Sequence, residues 1–199
     1  MVITGVYYAL GFLASGVLLG YLTRPWAAIP FAVLAAFSLW FFRDPNREIP
    51  QGPYAVSPAD GKIVAVKDDT GGRRRISIFL SPLDVHVNRA PITGTVRDVQ
   101  YKPGKFLVAS REEATAENEQ NLVTVEGDGT TVVFSQIAGL VARRILFWRK
   151  PGDKVKMGER IGLIQFGSRC DVFLGPEWNI VVREGQRVSA GSSILAKRD

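Results

Sequence analysis

From Val2 to Phe42 the chain carries a single charged side chain, Arg24, and all its other charged groups lie later. A run of that kind is not stable as water-exposed helix. Val2–Leu22 is uncharged and rich in Leu, Val, Gly and aromatics. At about 1.5 Å per helical residue it reaches across a hydrocarbon core of roughly 30 Å. A second uncharged stretch, Trp26–Phe42, is at the short limit for spanning. Arg24-Pro25 between them breaks the helix, so the two stretches predict a hydrophobic helical hairpin that crosses twice or dips in from one face. Trp40, Phe41 and Phe42 followed by Arg43 and Arg47 read as an interfacial belt with basic anchors. That charge placement puts the chain at the cell membrane, with the rest of the protein on the cytoplasmic face. A cleaved signal peptide is the rival reading, disfavoured by the length of the apolar region and by the second apolar stretch after it.

After this hairpin, residues 1–43, the pattern changes. Within residues 44–199, short apolar alternations are separated by Gly, Pro and Asp: Lys62–Val66, Ile76–Leu80, Leu122–Val125, Thr131–Phe134 and Arg160–Ile164. Such runs predict a mainly β, compact antiparallel domain. Arg111–Asn121 is polar and reads as a loop or short edge helix. Gln136–Trp148 is compatible with a strand followed by a short helical turn and is left open. A repeat sharpens the fold class. Gly152-Asp153-Lys154-Val155-Lys156-Met157-Gly158-Glu159-Arg160-Ile161 parallels Gly185-Gln186-Arg187-Val188-Ser189-Ala190-Gly191-Ser192-Ser193-Ile194. Glycines at turn positions with Val and Ile entering a core suggest the hammerhead turns of a barrel-sandwich-hybrid-like domain. A lipoyl or biotinyl carrier would also need a lysine at a hairpin tip in the right context, and none stands there.

The formal net charge of +6 suits an anionic partner. Without a long basic run or an aromatic-interleaved basic stripe, an acidic lipid surface fits better than nucleic acid. The single cysteine, Cys170, excludes an intramolecular disulfide, and the single histidine, His86, excludes a histidine-rich metal site within one chain.

Three segments are left as candidates for chemistry. In Phe166-Gly167-Ser168-Arg169, glycine leaves its carbonyl unshielded and tolerates strained backbone. A serine hydroxyl there can attack that carbonyl and convert the amide to an ester. Loss of the serine α-proton then expels the upstream chain as a carboxylate, and the dehydroalanine left behind loses ammonia to water and becomes a pyruvoyl group. Taken alone, Gly-Ser reads as a turn, and Gly191-Ser192 offers a second such pair. Ser57-Pro58-Ala59-Asp60-Gly61 reads as a turn before a strand. In Ser81-Pro82-Leu83-Asp84-Val85-His86-Val87-Asn88-Arg89-Ala90-Pro91, His86 leaves the opposite strand face from its valine neighbours. It is either a hydrogen-bonded structural residue or the proton carrier suited to neutral pH.

Together these segments resemble the phosphatidylserine decarboxylase family, specifically its short, archaeal-type branch. The resemblance runs through Phe41-Phe42-Arg43-Asp44-Pro45, Pro58-Ala59-Asp60-Gly61, Leu80–Arg89, Tyr101-Lys102-Pro103-Gly104, Glu117-Asn118-Glu119-Gln120-Asn121, Gln136–Arg144 and Gly162–Arg169. It implies a precursor cut at Gly167-Ser168 into a large β chain, residues 1–167, and a small α chain, residues 168–199. These would stay together as a heterodimer, with further oligomerisation left open. It implies a self-derived pyruvoyl cofactor on Ser168, no metal, and Schiff-base chemistry that releases carbon dioxide from membrane phosphatidylserine to give phosphatidylethanolamine. Asp60 corresponds to the family aspartate of self-processing, and His86 to the first histidine of the longer branch's Tyr-His-Arg-Val-His segment. The second histidine there, that branch's processing base, falls on Arg89 here. His86 is therefore expected to carry protons in decarboxylation and to double in processing, with Asp60 orienting or charging it. Arg169 and Arg89 are candidates for the substrate carboxylate or phosphate, Arg169 having a solvated surface charge as its alternative. Cys170 is expected to be a packed small side chain. Arg73-Arg74-Arg75 and Arg143-Arg144 are candidates for anionic headgroups, or else solvated turn charges.

Two rivals frame the expectation. One is a non-processing, membrane-tethered barrel-sandwich module without enzymatic activity. The other is a pyruvoyl enzyme for a soluble amino acid, which the hydrophobic front end disfavours.

Overall fold

The computed structural model describes residues 2–107, 117–139, 144–165 and 168–198. Internal contacts divide the chain into two units, residues 1–46 and 47–199.

The first unit is a helical hairpin of α1 (Ile3–Leu22) and α2 (Ile29–Phe41), joined through a 3-10 turn at Pro25–Ala28. Small residues let the helices approach: Gly16 lies against Phe31 and Gly20 against Ala28. The Val2 N–H donates to the Phe42 carbonyl and closes the open end (3.0 Å). The hydroxyls of Ser15, Thr23 and Ser38 donate to carbonyls one turn back, which satisfies them within the helices. Tyr7, Leu10, Val17, Leu18, Tyr21 and Leu22 are exposed. Helix α1 is long and apolar enough to cross a membrane, whereas the apolar helical stretch Pro25–Phe41 is shorter.

The second unit runs through β1 (Tyr54–Val56), β2 (Gly61–Asp68), β3 (Arg74–Leu80), β4 (Val87–Arg89), β5 (Gly94–Lys102), β6 (Gln120–Gly127) and β7 (Thr130–Ala138). It continues through β8 (Ile145–Phe147), β9 (Lys154–Val155), β10 (Arg160–Ile164), β11 (Ser168–Leu174), β12 (Asn179–Ile180), β13 (Arg187–Val188) and β14 (Ile194–Lys197). Among the described residues, eight of these strands form one curled antiparallel sheet in the order β13-β2-β3-β11-β7-β6-β5-β9. Two three-stranded sheets, β1-β14-β12 and β4-β10-β8, accompany it. The fold is mainly β, as the alternations predict, and each of the five apolar runs lies within a strand. Residues 111–116 of the polar segment, and 140–143 between β7 and β8, fall outside the described residues. Gln120 and Asn121 belong to β6.

Alternation sets the core. Val66, Ile76, Val172, Phe134, Val123 and Val99 are successive partners across six strands and make one apolar row. The two copies of the glycine repeat supply the edge strands β9 and β13 at opposite ends of the large sheet. Gly152, Gly158, Gly185 and Gly191 all have positive φ, between 77° and 96°, which only glycine adopts without strain.

Candidate active site

Along the core face of β11, Leu174 and Val172 give way to Cys170 and then Ser168. Their β7 partners change from Phe134 opposite Val172 to Gln136 opposite Cys170 and Ala138 opposite Ser168. The sheet thus turns from apolar to amide-lined at one end, and Ser168 stands in the last row, between Leu80 and Ala138. It is fully buried, and its Oγ has no hydrogen-bond partner among the described residues. Buried hydroxyls are almost always satisfied, so this one is available. Gly167 and Phe166 lie outside the described residues.

The same end of the sheet collects the other candidates, because β2 and β11 both begin where β3 ends. Asp60 immediately precedes β2. Gly61 after it has no room for a side chain, since a Cβ there would collide with the Phe79 carbonyl. Asp60 Oδ1 accepts the Ala190 N–H (2.7 Å) and Oδ2 accepts from Arg47 Nη2 (2.7 Å). Burial pushes its carboxyl above the ordinary aspartate range, and neighbouring Asp84 adds to the rise. The Ala190 N–H and the Arg47 guanidinium oppose it.

His86 is fully buried in the loop between β3 and β4. Its Nδ1 lies 2.9 Å from the Asp84 carbonyl oxygen. A carbonyl only accepts, so in the neutral ring Nδ1 carries the hydrogen and Nε2 keeps the lone pair. The His86 carbonyl accepts the Ile164 N–H (3.2 Å). Ile164 is four residues before Ser168, at most about 14 Å of extended chain. Asp84 was not singled out from the sequence, yet it organises this loop. Its carboxylate accepts from the Ser81 N–H and hydroxyl (2.8 Å each) and from Arg187. The group that orients Nδ1 is thus the Asp84 carbonyl, while the Asp60 carboxylate is held by Arg47 and Ala190.

Beneath the site runs a chain of buried amides. Asn121 Nδ2 donates to Gln136 Oε1 (3.1 Å), Gln136 Nε2 to Asn88 Oδ1 (2.9 Å), and Asn88 Nδ2 to the Pro58 carbonyl (3.3 Å). It ties β6, β7 and β4 to the turn that presents Asp60. Polar Gln136 and Asn121 at inward positions of otherwise apolar strands were the signal by which the sequence could have shown it. Asn118, also buried, donates to the Leu107 and Ala138 carbonyls and accepts the Leu107 N–H, pinning the strand end opposite Ser168.

The expected substrate arginines are placed otherwise. Arg169 is 1% exposed and bonds to Asp171 Oδ1 (2.6 Å) and Ser77 Oγ (2.7 Å). Adjacent strand residues point to opposite faces, so Arg169 faces away from the side of the sheet that Ser168 occupies. It forms a buried ion pair and is not a solvated surface charge. Arg89 is also buried, and its Nη1 donates to the Gly158 carbonyl (3.0 Å), so it works as a strut to the glycine turn. Arg73 and Arg74 pair with Asp69 and Asp68 and stand by the start of β3, whose other end faces Ser168. That is roughly 20 Å away at about 3.3 Å per residue, which removes the triple arginine from the site. Arg143 lies outside the described residues. Arg144 is exposed near the site, its carbonyl accepting the Gln165 N–H (3.2 Å). Cys170 is a packed core residue whose thiol burial pushes well above its usual range.

Fold and site define a class: a curled β domain that holds a histidine, two carboxylates and a buried hydroxyl without a hydrogen-bond partner among the described residues at one sheet end, in a chain that also carries a hydrophobic helical hairpin. Residues 34–196 match the family described as phosphatidylserine decarboxylase. The chain is 66% identical to the phosphatidylserine decarboxylase proenzyme of Solibacter usitatus (strain Ellin6076) over 198 residues, 100% of this chain and 97% of that protein. It is 45% identical to the proenzyme of Cupriavidus pinatubonensis (strain JMP 134 / LMG 1197), covering 94% and 92%. With the proenzyme of Syntrophus aciditrophicus (strain SB) the identity is 42%, covering 88% and 86%. The chain belongs to the phosphatidylserine decarboxylase family.

Proposed function

We propose that this chain is the precursor of a pyruvoyl-dependent phosphatidylserine decarboxylase of the short, archaeal-type branch, which cuts itself between Gly167 and Ser168. The observation that carries the reading is the Ser168 hydroxyl, buried, without a hydrogen-bond partner among the described residues and first in its strand. The branch assignment rests on Phe-Gly-Ser-Arg at the cut and on Arg89 in place of a second histidine. In processing, the Ser168 oxygen attacks the Gly167 carbonyl and passes its proton to a base. His86 Nε2 is the candidate, since Nδ1 is committed to the Asp84 carbonyl. Asp60, with its proton affinity raised by burial, assists at the same sheet end.

Position 168 also fits the group that this cleavage would leave. Ala138 opposite is small, and no hydrogen bond among the described residues ties the Ser168 side chain down. A pyruvoyl group there would supply a ketone for the substrate amine and a sink for the electron pair left when carbon dioxide departs. His86 Nε2 would take the proton that the substrate ammonium gives up and deliver it to the substrate carbon. The hairpin keeps the protein at the cell membrane where the diacyl substrate resides, with the β unit on the cytoplasmic face and the two cleaved chains held as a heterodimer by strand pairing.

Intact-mass analysis of the purified protein tests this directly. The expected result is two chains, 1–167 and 168–199, the second beginning with a pyruvoyl group, and carbon dioxide release from phosphatidylserine vesicles but not from free serine. Ser168→Ala should leave one unbroken, inactive chain. His86→Ala should lower carbon dioxide release by about 10²-fold or more. An active wild-type protein with an unmodified serine at 168 would overturn the reading.

A further inference from the structure

Three residues before His86 the same loop presents Pro82 and Leu83 to solvent, Leu83 at 66% exposure. The loop is built to hold them there. The Asp84 N–H donates to the Ser81 carbonyl (3.0 Å), Asp84 Oδ2 accepts the Ser81 N–H and hydroxyl, and Arg187 bonds to Asp84 Oδ1. Proline at the tip further restricts the backbone. An apolar pair held outward on a braced turn is unlike a leucine left at the surface by chance.

Its surroundings are basic. Arg187, 67% exposed, is the cross-strand partner of exposed Lys62, and Lys62 pairs in turn with Phe79, close to the start of the loop. Leucine flanked by lysine and arginine is the pattern that meets acyl chains with one part and anionic headgroups with the other. Leu83 and His86 are three residues apart, at most about 10 Å of chain. A bilayer headgroup layer is about 5–8 Å deep.

We propose that the Pro82–Leu83 tip is a bilayer-insertion point which, with Lys62 and Arg187 at its base, docks the loop that carries His86 onto an anionic lipid surface. The proposal rests on the lipid-substrate reading above. It adds a second membrane contact, on the loop that carries the proton carrier, three residues from His86.

The opposite end of the sheet provides the control, since the β6–β7 turn carries Asp128 about eight strand residues from the Ser168 row, roughly 26 Å away. Leu83→Cys and Asp128→Cys full-length proteins would be labelled with an environment-sensitive fluorophore, the buried Cys170 being protected. They would then be reconstituted into phosphatidylcholine–phosphatidylglycerol vesicles. The label at 83 is expected to be quenched by acyl-chain spin labels and shielded from aqueous iodide, and the label at 128 to show the reverse. Equal iodide access at both positions would overturn the proposal. In parallel, Leu83→Asp should lower the ratio of turnover on bilayer phosphatidylserine to turnover on a short-chain, monomeric phosphatidylserine by about tenfold. An unchanged ratio would also overturn it. Failure of wild-type protein to release carbon dioxide from either lipid would instead strike the decarboxylase reading, and the quenching result would still decide the docking.

Discussion

Ser57-Pro58-Ala59-Asp60-Gly61-Lys62-Ile63 and Ala90-Pro91-Ile92-Thr93-Gly94-Thr95-Val96 occupy equivalent places in two halves of the β unit. Gly61 and Lys62 pair with Val188 and Arg187 of one glycine turn, and Gly94 and Thr95 with Val155 and Lys154 of the other. Ser57 exchanges backbone bonds with Ser193 and Gly191, as Ala90 does with Glu159 and Gly158. Asp60 Oδ1 accepts the Ala190 N–H, and at the matching point Thr93 Oγ1 accepts the Met157 N–H (3.0 Å). A neutral hydroxyl therefore suffices to hold such a turn. The charge at position 60 is not needed to hold that turn; it pairs with Arg47 and stands at the end of the sheet where Ser168 and His86 lie.

Asp60→Thr breaks this comparison most sharply. It keeps an acceptor for the Ala190 N–H and removes the charge. Precursor cleavage, followed as the band shift on a denaturing gel, should fall by about 10²-fold or more, with the β fold retained by circular dichroism. Cleavage at the wild-type rate would mean that the carboxylate has only a structural role.

The amide chain reaches only one of the two segments, through the Pro58 carbonyl. Gln136→Leu strands the Asn88 and Asn121 amides and should cost about 2–3 kcal/mol of stability, measured by denaturant midpoint. Amide hydrogen exchange should quicken in residues 57–63 more than in residues 90–96. Thr93→Ala removes the corresponding bond on the other side and should cost about 1 kcal/mol, leaving self-cleavage at the wild-type rate.

The smallest effect is on pH dependence. Because burial raises the Asp60 carboxyl above its unfolded value, folding takes up a proton in the window between the two. The contribution to stability is complete below the unfolded value and is lost as pH rises through the folded one. Asp60→Thr should flatten that acid-side decline in denaturant midpoints, whereas Thr93→Ala should leave it in place.

Much of the architecture was legible locally. The uncharged stretches around Arg24-Pro25 specify a hairpin because a helix of that composition has no polar face. The β-runs were legible because alternation reports which face is buried, and the glycine repeat because its positive-φ turns tolerate little else. Asp60, His86 and Ser168 were legible as motif members. Asp84, Gln136 and Asn121 were not singled out, since an amide or carboxylate in a strand or turn reads as surface until its partners are known.

By itself the amino-acid sequence determined the apolar hairpin, the strands and the motifs that hold the candidate residues, because each depends on neighbours within a few positions. Only the tertiary structure decided that Arg169 is buried against Asp171 on the far face, that Arg73–Arg75 stand at the wrong end of β3, and that Asp60 and Thr93 are counterparts. Strand register and face are set by pairings between residues tens of positions apart. No local pattern carries them, and they determine which side chains meet at Ser168.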